Sequence, residues 1–144
     1  MQIETSVGAF QHEGNGISMT VKATAGALNY GDIVIIDATN DDVTDGIPAV
    51  KTLAGADSAL VCGVVCSPGG IEKGGVGKIG VMGLFRVNTA TDSTNFAAGA
   101  ALTTSATAGK AADGAETLLN LLGKVWYSPN VAAKSYVTAW INVL

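Results

Sequence analysis

"GGVGKIGVMGLFRVNT", residues 74–89, can be read in two ways, and the choice decides the fold. Its spacing Gly75-Val76-Gly77-Lys78-Ile79-Gly80 fits the glycine fingerprint that dinucleotide-binding proteins lay under a pyrophosphate. That fingerprint works only after a strand and before a helix, so that free backbone N–H groups and the helix dipole point at the phosphate. Here Val81-Met82-Gly83-Leu84-Phe85-Arg86-Val87-Asn88-Thr89 follows, with no capping residue before it and with β-branched and aromatic residues suited to a strand. No carboxylate stands about 20 residues on to hold a ribose, since Asp92 comes too early and the next acid is Asp113. The segment therefore reads as the end of a loop and a long strand, Lys78 to Thr89. Gly80 and Gly83 inside it mark a bulge or a bend where a barrel or sandwich turns a corner.

Working outward, the 144 residues have the size of one domain. Charged residues make up 14% against the usual quarter, and 19 glycines are nearly twice the usual share, a composition that favours short strands and tight turns. A net charge of −4, scattered lysines and a single arginine, Arg86, speak against a nucleic-acid surface. Met1-Gln2-Ile3-Glu4 does not resemble a signal peptide. The apolar runs near Ala59–Cys66 and Val81–Phe85 are too short for a membrane-spanning helix. The expectation is a soluble protein made in a cytoplasm, with no membrane partner. Cys62 and Cys66, four apart on an expected strand, would face one side roughly 13 Å apart, too far for a disulfide. Two buried, reduced thiols are expected.

The expected fold is all-β, a small β-sandwich or barrel with an extended N-terminal arm, residues 1–16, and a single β domain, residues 17–144. Helix is confined to a turn or two at Ser93–Ala98. Ile17, Met19 and Val21 alternate with polar residues as a half-buried strand, and Asp32–Asp37 reads as a strand buried on both faces. Asp37, Asn40, Asp41, Asp42 and Asp45 invite a calcium site, but Val43 breaks the ligand alternation and no glutamate closes the loop. A solvated turn is expected there, and no metal. The second half restates the first. Tyr30–Ile36 is echoed by Ala98–Thr104, Ile47–Thr52 by Ala108–Asp113, and Ala59–Val65 by Leu119–Val125, and each half closes with a longer strand. Gly31 matches Gly99 and Gly63 matches Gly123, the pattern of one strand-turn-strand unit used twice.

His12 is the only histidine, so nucleophile-base arrangements are poorly served, and no catalytic residue or cofactor is expected. The informative side chains are aromatic. Trp126, Tyr127, Tyr136 and Trp140 lie in the last two strands, and each serves either as core or as a contact anchor. Ile3, Val7 and Phe10 in the arm, with Trp126 and Tyr127, are the candidate contact residues.

"GDIVIID" (residues 31–37), "AAGAALTTSATAGKAADGAE" (residues 97–116), "LLGKVWY" (residues 121–127) and "SYVTAWINVL" (residues 135–144) resemble the decoration, or cement, proteins of tailed bacteriophages. The likeness covers roughly residues 17–144 and departs at Gly99-Ala100, where a Gly-Asp pair is expected. It implies a β-sandwich or small barrel on the outer surface of a virion, bound to the major capsid protein and self-assembled as a homotrimer or a dimer. It also implies no active site. Two other readings stay open: a tail or adhesin module that recognises a carbohydrate through Trp126, Tyr127 or Trp140, and a small β enzyme or ligand barrel with a polar cavity.

Overall fold

The computed structural model describes residues 15–40, 45–52, 60–90, 96–113, 122–127 and 135–143. Among these there is no helix, and there are nine strands: β1 (Asn15–Ala23), β2 (Ile33–Ile36), β3 (Ala49–Lys51), β4 (Val61–Val65), β5 (Val76–Asn88), β6 (Ala101–Thr104), β7 (Ala111–Asp113), β8 (Gly123–Tyr127) and β9 (Tyr136–Asn142). The chain is all-β, as its composition implied. Residues 93–95 of the expected helical turn lie outside the described residues, and 96–98 are not helical. β1 starts at Asn15 and so takes in the last two residues of the expected arm, and residues 1–14 lie outside the described residues.

β5 organises everything else. β1, β3, β2, β4 and β5 are hydrogen-bonded in that order, and β1 returns to pair with β5, which closes a five-stranded ring. The order then runs on through β9, β8, β6 and β7, and Thr89, just past β5, bridges in parallel to Ala111 of β7, which closes a second ring. One strand serves both because it is 13 residues long: β1 pairs along Val76–Leu84 and β9 along Met82–Asn88. Gly83, with φ of 126°, lies where these pairings overlap, a backbone conformation that a side chain rarely tolerates. A register shift between Ile17 and Ser18 adds a bulge opposite this stretch. Residues 76–88 thus form a strand where a phosphate loop would need a helix, and Gly74 and Gly75 belong to the turn before it, with the Gly75 N–H donating to the Glu72 carbonyl at 2.8 Å.

The two rings are the same unit built twice. In both, a parallel pairing joins the first and third strands and antiparallel pairings join the rest: β1–β3, β3–β2, β2–β4 and β4–β5 correspond to the Thr89–Ala111 bridge, β7–β6, β6–β8 and β8–β9. Gly31 donates to the Val65 carbonyl at 2.9 Å while Val65 donates to Asp32 at 2.8 Å; Gly99 donates to Val125 at 2.7 Å while Val125 donates to Ala100 at 2.8 Å. Both glycines have φ of 85°, which explains why glycine stands at both. Val34 pairs with Gly63 as Leu102 pairs with Gly123. The cross-strand pairs Val64–Gly80 and Val65–Ile79 recur as Lys124–Trp140 and Val125–Ala139.

Two apolar cores follow from this. Val21, Val34, Val50, Val65, Ile79 and Val81 fill the first ring. The second ring is filled by Val87, Leu102, Val125, Val137, Ala139 and Ile141, joined by Ile33, Val64 and Cys66 from the outside of the first. Burial of each such side chain contributes about 1.5–3 kcal/mol. A polar clasp locks the junction: the Asn88 side-chain amide donates to Asp32 Oδ1 at 3.0 Å and to the Tyr30 carbonyl at 2.8 Å, and Lys110 Nζ lies 3.6 Å from Asp32.

β2 is buried on both faces through Ile33, Val34 and Ile35, as the sequence led one to expect, and only Ile36 at its end is exposed. Two other sequence expectations need correction. Cys62 and Cys66 do not share a face. The register shift opposite Val34/Ile35 leaves Cys62 as an extra residue in β4, which reverses the alternation. Cys62 packs on the first core and Cys66 in the second, and neither forms a disulfide. Asp37 is not in a solvated turn but fully buried. It accepts hydrogen bonds from the Thr39 and Asn40 backbone, from Asn40 Nδ2 and from the Thr24 hydroxyl, and it pairs with Lys51 at 3.1 Å. Asp41, Asp42 and Val43 lie outside the described residues.

Candidate functional site

The site is a sheet face, made by the alternation of β9. Val137, Ala139 and Ile141 point into the core, so Tyr136, Thr138 and Trp140 point outward, and Tyr136 and Trp140 are 37% and 45% exposed. On β8 the register slips between Val125 and Tyr127, which makes Trp126 a bulge residue. The bulge breaks the alternation and leaves both Trp126 and Tyr127 outside, 65% and 61% exposed. The four aromatics of the last two strands are therefore surface, not core. Exposed aromatics on neighbouring strands are the composition of a contact surface.

The face has a cationic component. Lys124 sits directly opposite Trp140, and Arg86 of β5 is opposite Thr138. The Arg86 guanidinium stacks on the Tyr136 ring at 4.2 Å and reaches the Tyr30 ring at 5.7 Å. Stacking of this kind contributes about 0.5–1 kcal/mol at an exposed site and fixes the orientation of a long side chain. An open groove of about 640 Å³ lies beside Trp126 and Trp140, lined also by Ala98, Gly99, Lys124 and Val125.

A second cavity, of about 280 Å³, opens at the mouth of the first ring between Met19, Val21, Ile36, Val50, Cys62 and Ile79. Met19 and Ile36 are exposed on its rim. Burial pushes the Cys62 thiol up to about 12, so it is a neutral, apolar lining group at ordinary pH. Neither cavity brings a nucleophile and a base together among the described residues, and those residues hold no cluster of three His, Cys, Asp or Glu side chains.

Of the candidate contact residues, the structure brings Trp126 and Tyr127 together on the exposed face and adds Tyr136, Trp140 and Arg86; Ile3, Val7 and Phe10 lie outside the described residues. The stacking of Arg86 and the mouth of the first ring carry no local sequence signal. Both arise from pairing between segments distant in the chain.

In sequence, the chain matches no protein-family model and no curated protein. In structure it is similar to the head fiber gp8.5 N base of bacteriophage phi29, with a TM-score of 0.55 and 15% identity over 88% of this chain and 93% of that one. It is also similar to a chain in the capsid of Myoviridae phage XM1, with a TM-score of 0.57 and 17% identity over 90% of this chain and 85% of that one. Both neighbours come from phage heads, in agreement with the resemblance read from the sequence, and this chain shares their all-β fold.

Proposed function

We propose that this chain is a structural protein of a phage head, which decorates the outside of the capsid shell by binding the major capsid protein lattice and stabilises it. The exposed aromatic face carries this reading, on a fold shared by two phage head structures. A protein that binds the assembled lattice and not the separate subunits shifts the equilibrium toward assembly by mass action. Repetition over many copies makes a modest contact energy decisive. The role is one of binding rather than catalysis, carried out as a homotrimer.

In this reading the arm, residues 1–14 ahead of β1, engages the shell. Ile3, Val7 and Phe10 are spaced so that an extended chain can set them into pockets while its backbone pairs with a sheet edge. Trp126 and Tyr127 serve the capsid or a neighbouring copy. The carbohydrate reading is disfavoured because, among the described residues, Lys124 is the one charged side chain lining the groove, and a sugar needs several converging polar groups.

Co-sedimentation with capsids assembled without the protein tests the reading. The whole chain is expected to pellet with the shells to a saturating number of copies, while deletion of residues 2–14 leaves a folded body that binds at least tenfold more weakly. Phe10→Ala reproduces part of that loss. A whole chain that stays in the supernatant overturns the capsid role, and a truncated chain that binds at full strength removes the arm from it.

A further inference from the structure

The junction between the two rings joins a face to a mouth. Ile33, Val64 and Cys66, on the outer face of the first ring, enter the core of the second beside Phe85, Leu122 and Ala139 at its mouth. The Ile33 N–H donates to the Gly109 carbonyl at 2.9 Å across that seam, and the Phe85 ring lies where a side chain on Gly80 would be.

Because the unit is built twice, each ring owns one such face and one such mouth, and the junction uses only half of them. The positions of Val64, Cys66 and Gly80 are taken in the second ring by Lys124, Trp126 and Trp140, which line the open groove. Those of Phe85, Leu122 and Ala139 are taken in the first ring by Met19, Cys62 and Ile79, which line the second cavity. The two apolar cavities described above are thus the unused face and the unused mouth.

Within the chain, a mouth with Phe85 and Leu122 receives a face with small Cys66 and Gly80. At the unused pair, the face carries bulky Trp126 and Trp140 beside the long stem of Lys124, and the mouth, where Met19 and Cys62 stand for Phe85 and Leu122 and Ile79 for Ala139, holds an open cavity of about 280 Å³. An apolar cavity on one partner and large aromatic side chains on the other are the elements of a close-packed interface.

We propose that the Trp126–Trp140 groove of one molecule docks on the Met19–Cys62 mouth of another copy of this chain, repeating between molecules the contact that joins the rings within one. The contact is heterologous, different surfaces meeting head to tail, so it closes into a ring when the rotation permits and runs on as a filament otherwise. It rests on the self-association in the reading above and gives it a surface; the capsid role stands or falls separately, by co-sedimentation.

The equivalence of Met19 with Phe85 and of Trp140 with Gly80 gives the test, because Phe85 touches Gly80. Two variants are made in a Cys62→Ala background, one with Thr20→Cys beside Met19 and one with Asn142→Cys on the Trp140 face of β9, both at exposed positions outside the two cavities, so that Met19 and Trp140 stay in place. They are mixed dilute, concentrated together to roughly 100 µM and treated with a bismaleimide. The expected result is a cross-linked dimer at least tenfold more abundant in the mixture than with either variant alone. The proposal is overturned by a mixture that gives no more dimer than the separate variants. It is equally overturned by Asn142→Cys protein that cross-links to itself as efficiently, which marks a two-fold contact instead.

Discussion

The outer faces of the two rings are one surface built twice and put to different uses. In the first ring, Gly80 lies beneath the Phe85 ring, and Cys66 is buried. In the second, the same positions hold Trp140 and Trp126, 45% and 65% exposed. Whatever covers a position limits the volume its side chain can take. A residue that is small and apolar in one copy and large and aromatic in the other therefore marks where the unit's surroundings changed. The turn after the second strand differs in a parallel way. Asp37 caps it in the first ring, accepting from the Thr39 N–H, and Ser105 caps it in the second, accepting from the Thr107 N–H at 3.1 Å.

Exchange across the comparison should break the first ring and spare the second. Gly80→Trp drives an indole into the space of Phe85, whose ring carbon comes within 2.5 Å of a Cβ at that position, and should cost about 3 kcal/mol or more. Trp140→Gly removes a side chain that is nearly half exposed and should cost about 1 kcal/mol or less in the monomer. Urea unfolding of the two variants measures the difference, and equal losses would refute the inequivalence of the faces.

The two caps differ in charge, so acid should distinguish them. Burial by itself would raise the Asp37 pKa, but hydrogen bonds from Thr24, Asn40, Lys51 and Thr39 outweigh it and hold the carboxyl well below its ordinary range. The stability this adds is complete above about pH 5 and lost as pH falls below about 4 toward the depressed value. Asp37→Asn should thus cost about 1–3 kcal/mol at pH 7, and the gap to the wild-type chain should narrow as the pH of the melt is lowered to 3. A gap of constant size would show that the charge contributes nothing.

The smallest effect concerns a position where the repeat is imperfect. Thr103 takes the place of Ile35, and its hydroxyl is buried with no hydrogen-bond partner among the described residues. Thr103→Val removes the unpaired group at almost constant shape and should stabilise the chain by about 1 kcal/mol, read as a rise in the urea midpoint.

Much of this was legible in the sequence, for identifiable reasons. The repeat showed through Gly31 and Gly99, because a left-handed turn permits little else, and the long strand after Gly74-Gly75 showed through its β-branched residues. The facing of Cys62 and Cys66 was not legible, because a bulge reverses alternation without changing composition. Nor was the burial of Asp37, since an acidic run looks solvated until Thr24 and Lys51, brought from elsewhere in the chain, supply its partners. The exposure of Tyr136 and Trp140 was half legible. Their alternation with Val137, Ala139 and Ile141 places them on one face with Thr138 and Asn142, but two large aromatics on that face suit a core as well as a surface, and only the packing of β9 in the sheet says which face is inside.

The claim that the second ring's aromatic face is a junction left for another copy is tested most directly by the solution mass. Light scattering at roughly 50 µM should find the wild-type chain as a closed assembly of several copies. The Trp126→Ser/Trp140→Ser chain, with an unchanged far-ultraviolet dichroism spectrum, should have the mass of a single chain. Equal masses for the two proteins, whether both assembled or both monomeric, would contradict it.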